Sequence, residues 1–364
     1  MKKCVLLILT GLLIPLAFSY SYLPCPHYIS SINIPCYINK PGIYNITSNI
    51  YFNPTVCFYN NTPFLVCPFI LINTSNVVIN GNFHKISLKN IATGFIIENK
   101  TNITIKNLDF VYVSSAPFFI KNSKSISIYN VSIASSNITN NSVISINSYL
   151  LLQNINIRNV NYPLLFYNSK FLLFNSSFKY YQTAIHLINS YGIIYQCNIT
   201  NGIVGILAND SFFELVNSTL TNNSNGIIIN NSKTELENSY VCRNIYDVLL
   251  SNLSKKIDIK NCTIGSIFLV KNNVSKKLNK TEIRKLLGWD FYTNNYCGLN
   301  IKKVINKSII NISNKTPNLT PLKTKIIINK KYKENGNIVK DIAVIIFIII
   351  VVIIALYFMI FKKI

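Results

Sequence analysis

An amide side chain returns nine times between Asn80 and Asn261, each time after a short run of alternating apolar residues and three places before another large apolar residue. The amides are Asn80, Asn107, Asn130, Asn154, Asn175, Gln196, Asn217, Asn238 and Asn261. Their apolar followers are Phe83, Phe110, Ile133, Ile157, Phe178, Ile199, Leu220, Val241 and Ile264. Successive amides stand 27, 23, 24, 21, 21, 21, 21 and 23 residues apart, a period within the solenoid range. A parallel strand pair joined through a helix needs roughly 30 residues or more. The period therefore leaves room only for short strands and tight turns, and the sheet must coil on itself.

The phases inside a coil follow from the two-residue alternation of a strand. Ile185 and Leu187 point one way. Ile103 and Ile105 face inward, Asn107 turns the chain, and Leu108 and Phe110 return to the core on the next strand. Ile126, Ile128, Val131 and Ile133 repeat the pattern, as do Ile257, Ile259, Cys262 and Ile264. One coil has almost no core, so stability must come from neighbours stacked at roughly 4.8 Å per rung. An asparagine tolerates the left-handed angles of a sharp corner. Its amide can also pair with the same side chain one rung above and below. The sequence thus predicts a buried ladder of nine amides.

These amide-cornered units, over about residues 69 to 270, resemble the parallel β-helix repeats of the pectin-lyase-like superfamily, as found in NosD-like and surface β-helix proteins. The resemblance implies an all-β, right-handed parallel β-helix solenoid of about nine to ten coils. It implies no particular chemistry, since the same coil carries lyases, hydrolases, adhesins and scaffolds. No catalytic motif of the family transfers onto the chain.

The ends differ from the repeats. Lys2 and Lys3 precede an apolar run, Val5 to Phe18, and small residues at Ala17 and Ser19 complete a signal peptide over 1–21. A cysteine-containing N-terminal cap is expected at 22–68, the β-helix at 69–270 and a C-terminal cap at 271–300. The C-terminal cap holds a helix candidate, Thr281 to Leu287. A Lys- and Asn-rich stalk covers 301–341, and the uncharged run 342–361 is long enough to span a bilayer, leaving 362–364 as a cytoplasmic tail. Lysines before the span oppose a simple positive-inside count. The signal peptide decides the orientation, with the β-helix outside.

Export puts the eight cysteines left after Cys4 in an oxidising compartment. Cys25, Cys36, Cys57 and Cys67 fall in the N-terminal cap as two disulfides of open connectivity, with a zinc site as the second reading. Cys197 reads as a small core residue, and Cys297 as a partner for either Cys262 or Cys242. Cys197 and Cys262 stand three rungs apart, too far for a bridge between them. About twenty Asn-x-Ser/Thr triplets read as a glycoprotein. Asn130, Asn175, Asn217 and Asn261 are expected to stay bare as ladder members, and Asn306, Asn311, Asn314 and Asn318 in the stalk to be modified.

The formal charge is +23, from 35 basic and 12 acidic residues, which suits an anionic partner. The lysines are spread rather than clustered with aromatics, which argues against nucleic acid. No phosphate loop, Ser-His-Asp order or paired-His motif occurs. Aligned on the amides, Glu214, Glu235 and Asp258 fall on three consecutive rungs, outward, with Glu237 beside them. Carboxylates at this spacing match the separations used in glycoside hydrolysis. Calcium binding and a simple solvated face are the competing readings, and no other cofactor is implied. The same outward columns become apolar toward the N-terminus, with Leu151, Leu172 and Ile193 in one and Tyr129, Phe174, Tyr195 and Val216 in the other. Ile144, Leu165, Leu207 and Ile228 form a further outward column, in which His186 reads as packed rather than catalytic.

The expectation is an exported, single-span surface glycoprotein whose β-helix binds a glycan or an envelope protein, with an exposed apolar stripe available for oligomerisation. The alternatives are a tethered polysaccharide hydrolase or lyase using Glu214, Glu235 and Asp258, and an inert lattice spacer.

Overall fold

The computed structural model describes residues 23–53, 58–59, 65–89, 92–113, 115–251, 256–271, 274–279, 281–282 and 297. Within them the chain is an all-β parallel solenoid of about ten turns, with no helix longer than a turn. One coil shows the plan. A first face is made by Thr183–Ile188, a second by Tyr191–Tyr195 and a third by Asn198–Thr200. Each face hydrogen-bonds in parallel to the residue 21 places on, as in Ile185 to Ile206, Ile194 to Leu215 and Ile199 to Leu220.

Three corners close the coil, and at each the backbone turns through positive φ. Between the second and third faces stand the predicted amides from Asn107 to Asn261, all at φ between 46° and 57°. Asn107, Asn130, Asn154 and Asn175 each donate Nδ2 to the Oδ1 one rung below, at 2.9, 3.1, 2.8 and 2.8 Å. Among the described residues these amide-to-amide bonds stop at Asn175. Gln196 is one methylene longer, and its amide does not continue the row. Asn238 instead donates to its neighbour Glu237 at 3.3 Å.

The ladder is not buried, which corrects the expectation from sequence. A left-handed corner turns its side chain outward and the next residue inward. The sealed positions are accordingly Ser176, Cys197, Ser218, Ser239 and Cys262. A second row of this kind closes the first face onto the second: Asn122, Asn147, Asn168, Asn189, Asp210 and Asn231 at positive φ, each followed by a buried serine. There Ser123, Ser148, Ser169, Ser190 and Ser211 donate their backbone N–H to the serine Oγ one rung on, at 2.9 to 3.2 Å. Ser148, Ser169, Ser190, Ser211 and Ser232 also donate Oγ to the carbonyl two residues back. Each buried donor at the corner thus has an acceptor, as a water-free interior requires.

The interior is solid. Phe110, Ile133, Ile157, Phe178, Ile199, Leu220, Val241 and Ile264 lie in one unbroken column, all sealed from solvent. Phe83 departs from its expected place. It is 69% exposed on a loop, and Ile86 fills the column position under Phe110. The first interval is longest because that loop, Gly81 to His84, is inserted at the corner. Rings of Phe69, Phe95 and Phe118 pack down one side with centroids 5.6 Å apart. Gly192 stands directly over Phe171, and a Cβ there would lie 2.1 Å from its ring.

Parallel pairing extends below residue 69. Cys36–Ile38, Gly42–Ile46 and Ile50–Phe52, inside the expected cap, pair in parallel with Leu65–Ile72, Val77–Asn80 and Lys85–Leu88. At the other end Val274–Lys277 folds back antiparallel on Ile267–Lys271 and covers that edge. Asn279 and Glu282 exchange capping hydrogen bonds at 3.0 and 2.9 Å, opening the expected helix, whose remainder lies outside the described residues. Cys25 pairs with Cys36 and Cys242 with Cys297, their Cα atoms 5.1 and 5.5 Å apart. Cys57, the side chain of Cys67, the signal peptide, the stalk with its sequons and the 342–361 segment lie outside the described residues. Among the described residues no helix is long and apolar enough to cross a membrane.

Candidate functional site

The outward side of the second face carries three parallel columns, two residues apart along each strand. The middle column places Leu151, Leu172, Ile193, Glu214, Glu235 and Asp258 on successive rungs in Cα register. The three acids stack as expected. Tyr191 donates Oη to Glu214 Oε1 at 3.3 Å, and Lys233 Nζ lies 2.8 Å from Glu235 Oε1. Among the described residues no group of three His, Cys, Asp or Glu side chains converges as a metal site.

The column on one side runs Tyr129, Gln153, Phe174, Tyr195, Val216, Glu237 and Lys260. Phe174 and Tyr195 meet with centroids 5.8 Å apart. Tyr129 lies three rungs below Tyr195, with Lys106 5.7 Å over its ring, and Glu237 lies two rungs above. The four ligand candidates share a column without forming one cluster.

The column on the other side was missed from sequence. It runs Tyr149, Lys170, Tyr191, Phe212 and Lys233, three rings and two ammonium groups in one column. Lys170 sits 5.4 Å from the Tyr149 ring, Tyr191 and Phe212 are 5.0 Å apart, and Lys233 is 4.6 Å from the Phe212 ring. With the corner residues Asn168, Asn189, Asp210 and Asn231, the side chains of Lys170, Tyr191, Phe212 and Lys233 line an open groove of about 370 Å³. The signal was present, since each of the five stands five residues before a corner amide.

Burial first, and then the Glu214 charge, push the Tyr191 hydroxyl above its ordinary value. The Glu235 carboxylate holds the Lys233 ammonium above its own. Both keep their protons at neutral pH, so the groove presents donors, rings and cations. An aromatic ring offers a stacking platform to the C–H face of a sugar, and the amides and ammonium groups offer hydrogen bonds to its hydroxyl and acidic oxygens.

A second groove of about 410 Å³ lies on the third face among Lys85, Asp109, Tyr112, Ser132, Asn156 and Arg158, where Ser132 donates to Asp109. His186 is half-buried, with Nε2 3.1 Å from Asn209 Nδ2, and burial lowers its pKa. Burial pushes the thiol of Cys197 up to about 12 and that of Cys262 to about 11. Both are protonated core residues without a partner cysteine.

No family model matches the chain and no curated protein resembles it. Three solved structures match at low identity and low TM-score. The A-module of mannuronan C-5 epimerase AlgE4 from Azotobacter vinelandii matches 67% of this chain and 79% of its own, at 12% identity and a TM-score of 0.31. PfbA, a surface adhesin of Streptococcus pneumoniae, matches 70% and 92% at 12% identity and 0.29. The AlgE6 A-module of A. vinelandii matches 69% and 78% at 11% identity and 0.29.

Proposed function

We propose that the chain is an exported, membrane-anchored surface protein whose solenoid is a binding module of the cell envelope, holding an extended glycan along the second face. The observation that carries this reading is the groove built from Tyr191, Phe212, Lys170 and Lys233 beside the corner amides. Rings repeated at roughly the rung spacing suit a polymer lying along the solenoid axis better than a compact ligand. The disulfides Cys25–Cys36 and Cys242–Cys297 support an oxidising, extracytoplasmic setting. The signal-like segment 1–21 and the apolar segment 342–361 support export and anchoring.

Catalysis by the stacked acids is the second reading, favoured by the register of Glu214, Glu235 and Asp258. The partners of the first two weigh against it, because a carboxylate tied to Lys233 or Tyr191 is not poised to act on a substrate. Glycan-array and calorimetric binding to envelope polysaccharide, followed by Tyr191→Ala and Phe212→Ala, tests the binding reading. Each ring removed is expected to weaken binding about 5- to 150-fold with the fold intact, taking stacking at roughly 1–3 kcal/mol. Undiminished binding in the double variant would remove the second face from the account. Polysaccharide cleavage that disappears in Glu214→Gln, Glu235→Gln and Asp258→Asn would establish the enzyme instead.

A further inference from the structure

The first face has a composition that neither of the others shares. Its six successive rungs at 139–146, 160–167, 182–188, 203–209, 224–230 and 245–251 contain no Lys, Arg or Glu. Their single Asp, Asp247, is buried and accepts hydrogen bonds from Asn244 and Ser266. The outward column of these rungs is Ile144, Leu165, His186, Leu207, Ile228 and Leu249, in unbroken Cα register and half-buried. Beside it run Ile146, Tyr167 and Ile188, then Asn209 and Asn230. Over the same rungs the second face carries Lys170, Glu214, Lys233, Glu235, Asp258 and Lys260. A solvated face of a chain with 35 basic and 12 acidic residues is expected to be charged. A flat, uncharged, largely apolar panel is the signature of a covered one.

The charge and the geometry of the panel select its occupant. Copies of a chain at +23 repel one another wherever lysines meet, and the first face is where the partner panel adds no like charge. The side-chain rows repeat at roughly 4.8 Å, so a second solenoid face meshes row for row, whereas a globular partner has no matching repeat. Six rungs of six-residue strands make a panel of roughly 29 by 20 Å. Two such panels bury roughly 1,200 Å², the lower end of the roughly 1,200–2,000 Å² that stable interfaces bury.

We propose that two copies of this chain associate through their first faces, panel against panel about a two-fold axis, leaving the second-face grooves outward. A two-fold contact is self-complementary, so one patch serves both partners and the assembly closes at two.

Sedimentation equilibrium of the full chain in density-matched detergent tests this. The natural chain and the second-face variant Leu172→Lys are expected to give a dimer at micromolar concentration. Leu207→Lys and, independently, Ile228→Lys are each expected to weaken association at least tenfold while the thermal transition stays in place, since both side chains point outward. A monomeric natural chain overturns the proposal and leaves a bilayer or another protein as the occupant. A dimer indifferent to both lysines overturns it equally, by placing the contact on another face.

Discussion

At the residue scale the decisive property is the left-handed corner. Most L-residues lose about 1–2 kcal/mol there, and asparagine is among the few that visit it readily. The row from Asn122 to Asn231 and the row from Asn107 to Asn261 are the result. The second of these was legible because its amides precede a regular apolar follower. The first escaped notice although Asn147, Asn168, Asn189, Asp210 and Asn231 recur every 21 residues. The serines behind both rows were not legible at all, because Asn-Ser reads as a surface turn until the chain is closed around it. Their role predicts a cost. Ser211 accepts from the Ser190 N–H at 3.0 Å and donates to the Asn209 carbonyl at 2.6 Å. Ser211→Ala strands a buried donor and is expected to destabilise by about 1–3 kcal/mol, read in denaturant melts and in faster exchange of the Ser190 amide. His186 carries a pH dependence. Burial lowers its pKa from 6.5, so the folded chain holds fewer protons there than the unfolded chain. Its contribution is complete above 6.5 and is lost as the pH falls toward the lowered folded value. Urea melts at pH 8 and pH 5 are expected to differ less in His186→Leu than in the natural chain.

At the element scale the strands behave as their alternation predicts, and the inward columns of the second and third faces are in register from Ile103 to Ile257 and from Phe110 to Ile264. The exception, Phe83, comes from a corner insertion that periodicity alone reads as one more coil. The reach of the parallel stack below residue 69 was hidden for a similar reason, since the strands Cys36–Ile38 and Ile50–Phe52 lack the corner amide. Terminal coils have a neighbour on one side only and fray first. The Cys242–Cys297 bridge closes a separation of 55 residues at that end. By loop-closure entropy it restrains the unfolded chain by about 4 kcal/mol. Cys297→Ser is expected to increase hydrogen exchange in Tyr246–Ser251 and Ile267–Lys271 while leaving the central coils protected. Uniform loss of protection would show that the solenoid opens as one unit.

At the scale of the whole molecule, the three faces divide the outer surface by chemistry. The second joins rings, ammonium groups and carboxylates, the third holds a groove with Lys85, Asp109 and Arg158, and the first is uncharged over six rungs. Spacing and alternation in the sequence sufficed to determine the coiled parallel architecture, the inward columns and the stacking of Glu214, Glu235 and Asp258, because each depends on distance along the chain. Tertiary structure alone decided that the amides lie outside and the serines within, that Cys242 rather than Cys262 meets Cys297, and that Glu214 and Glu235 are held by Tyr191 and Lys233. Those outcomes depend on which way a corner throws its side chain and on contacts between rungs, and neither is encoded in the order of residues within one coil.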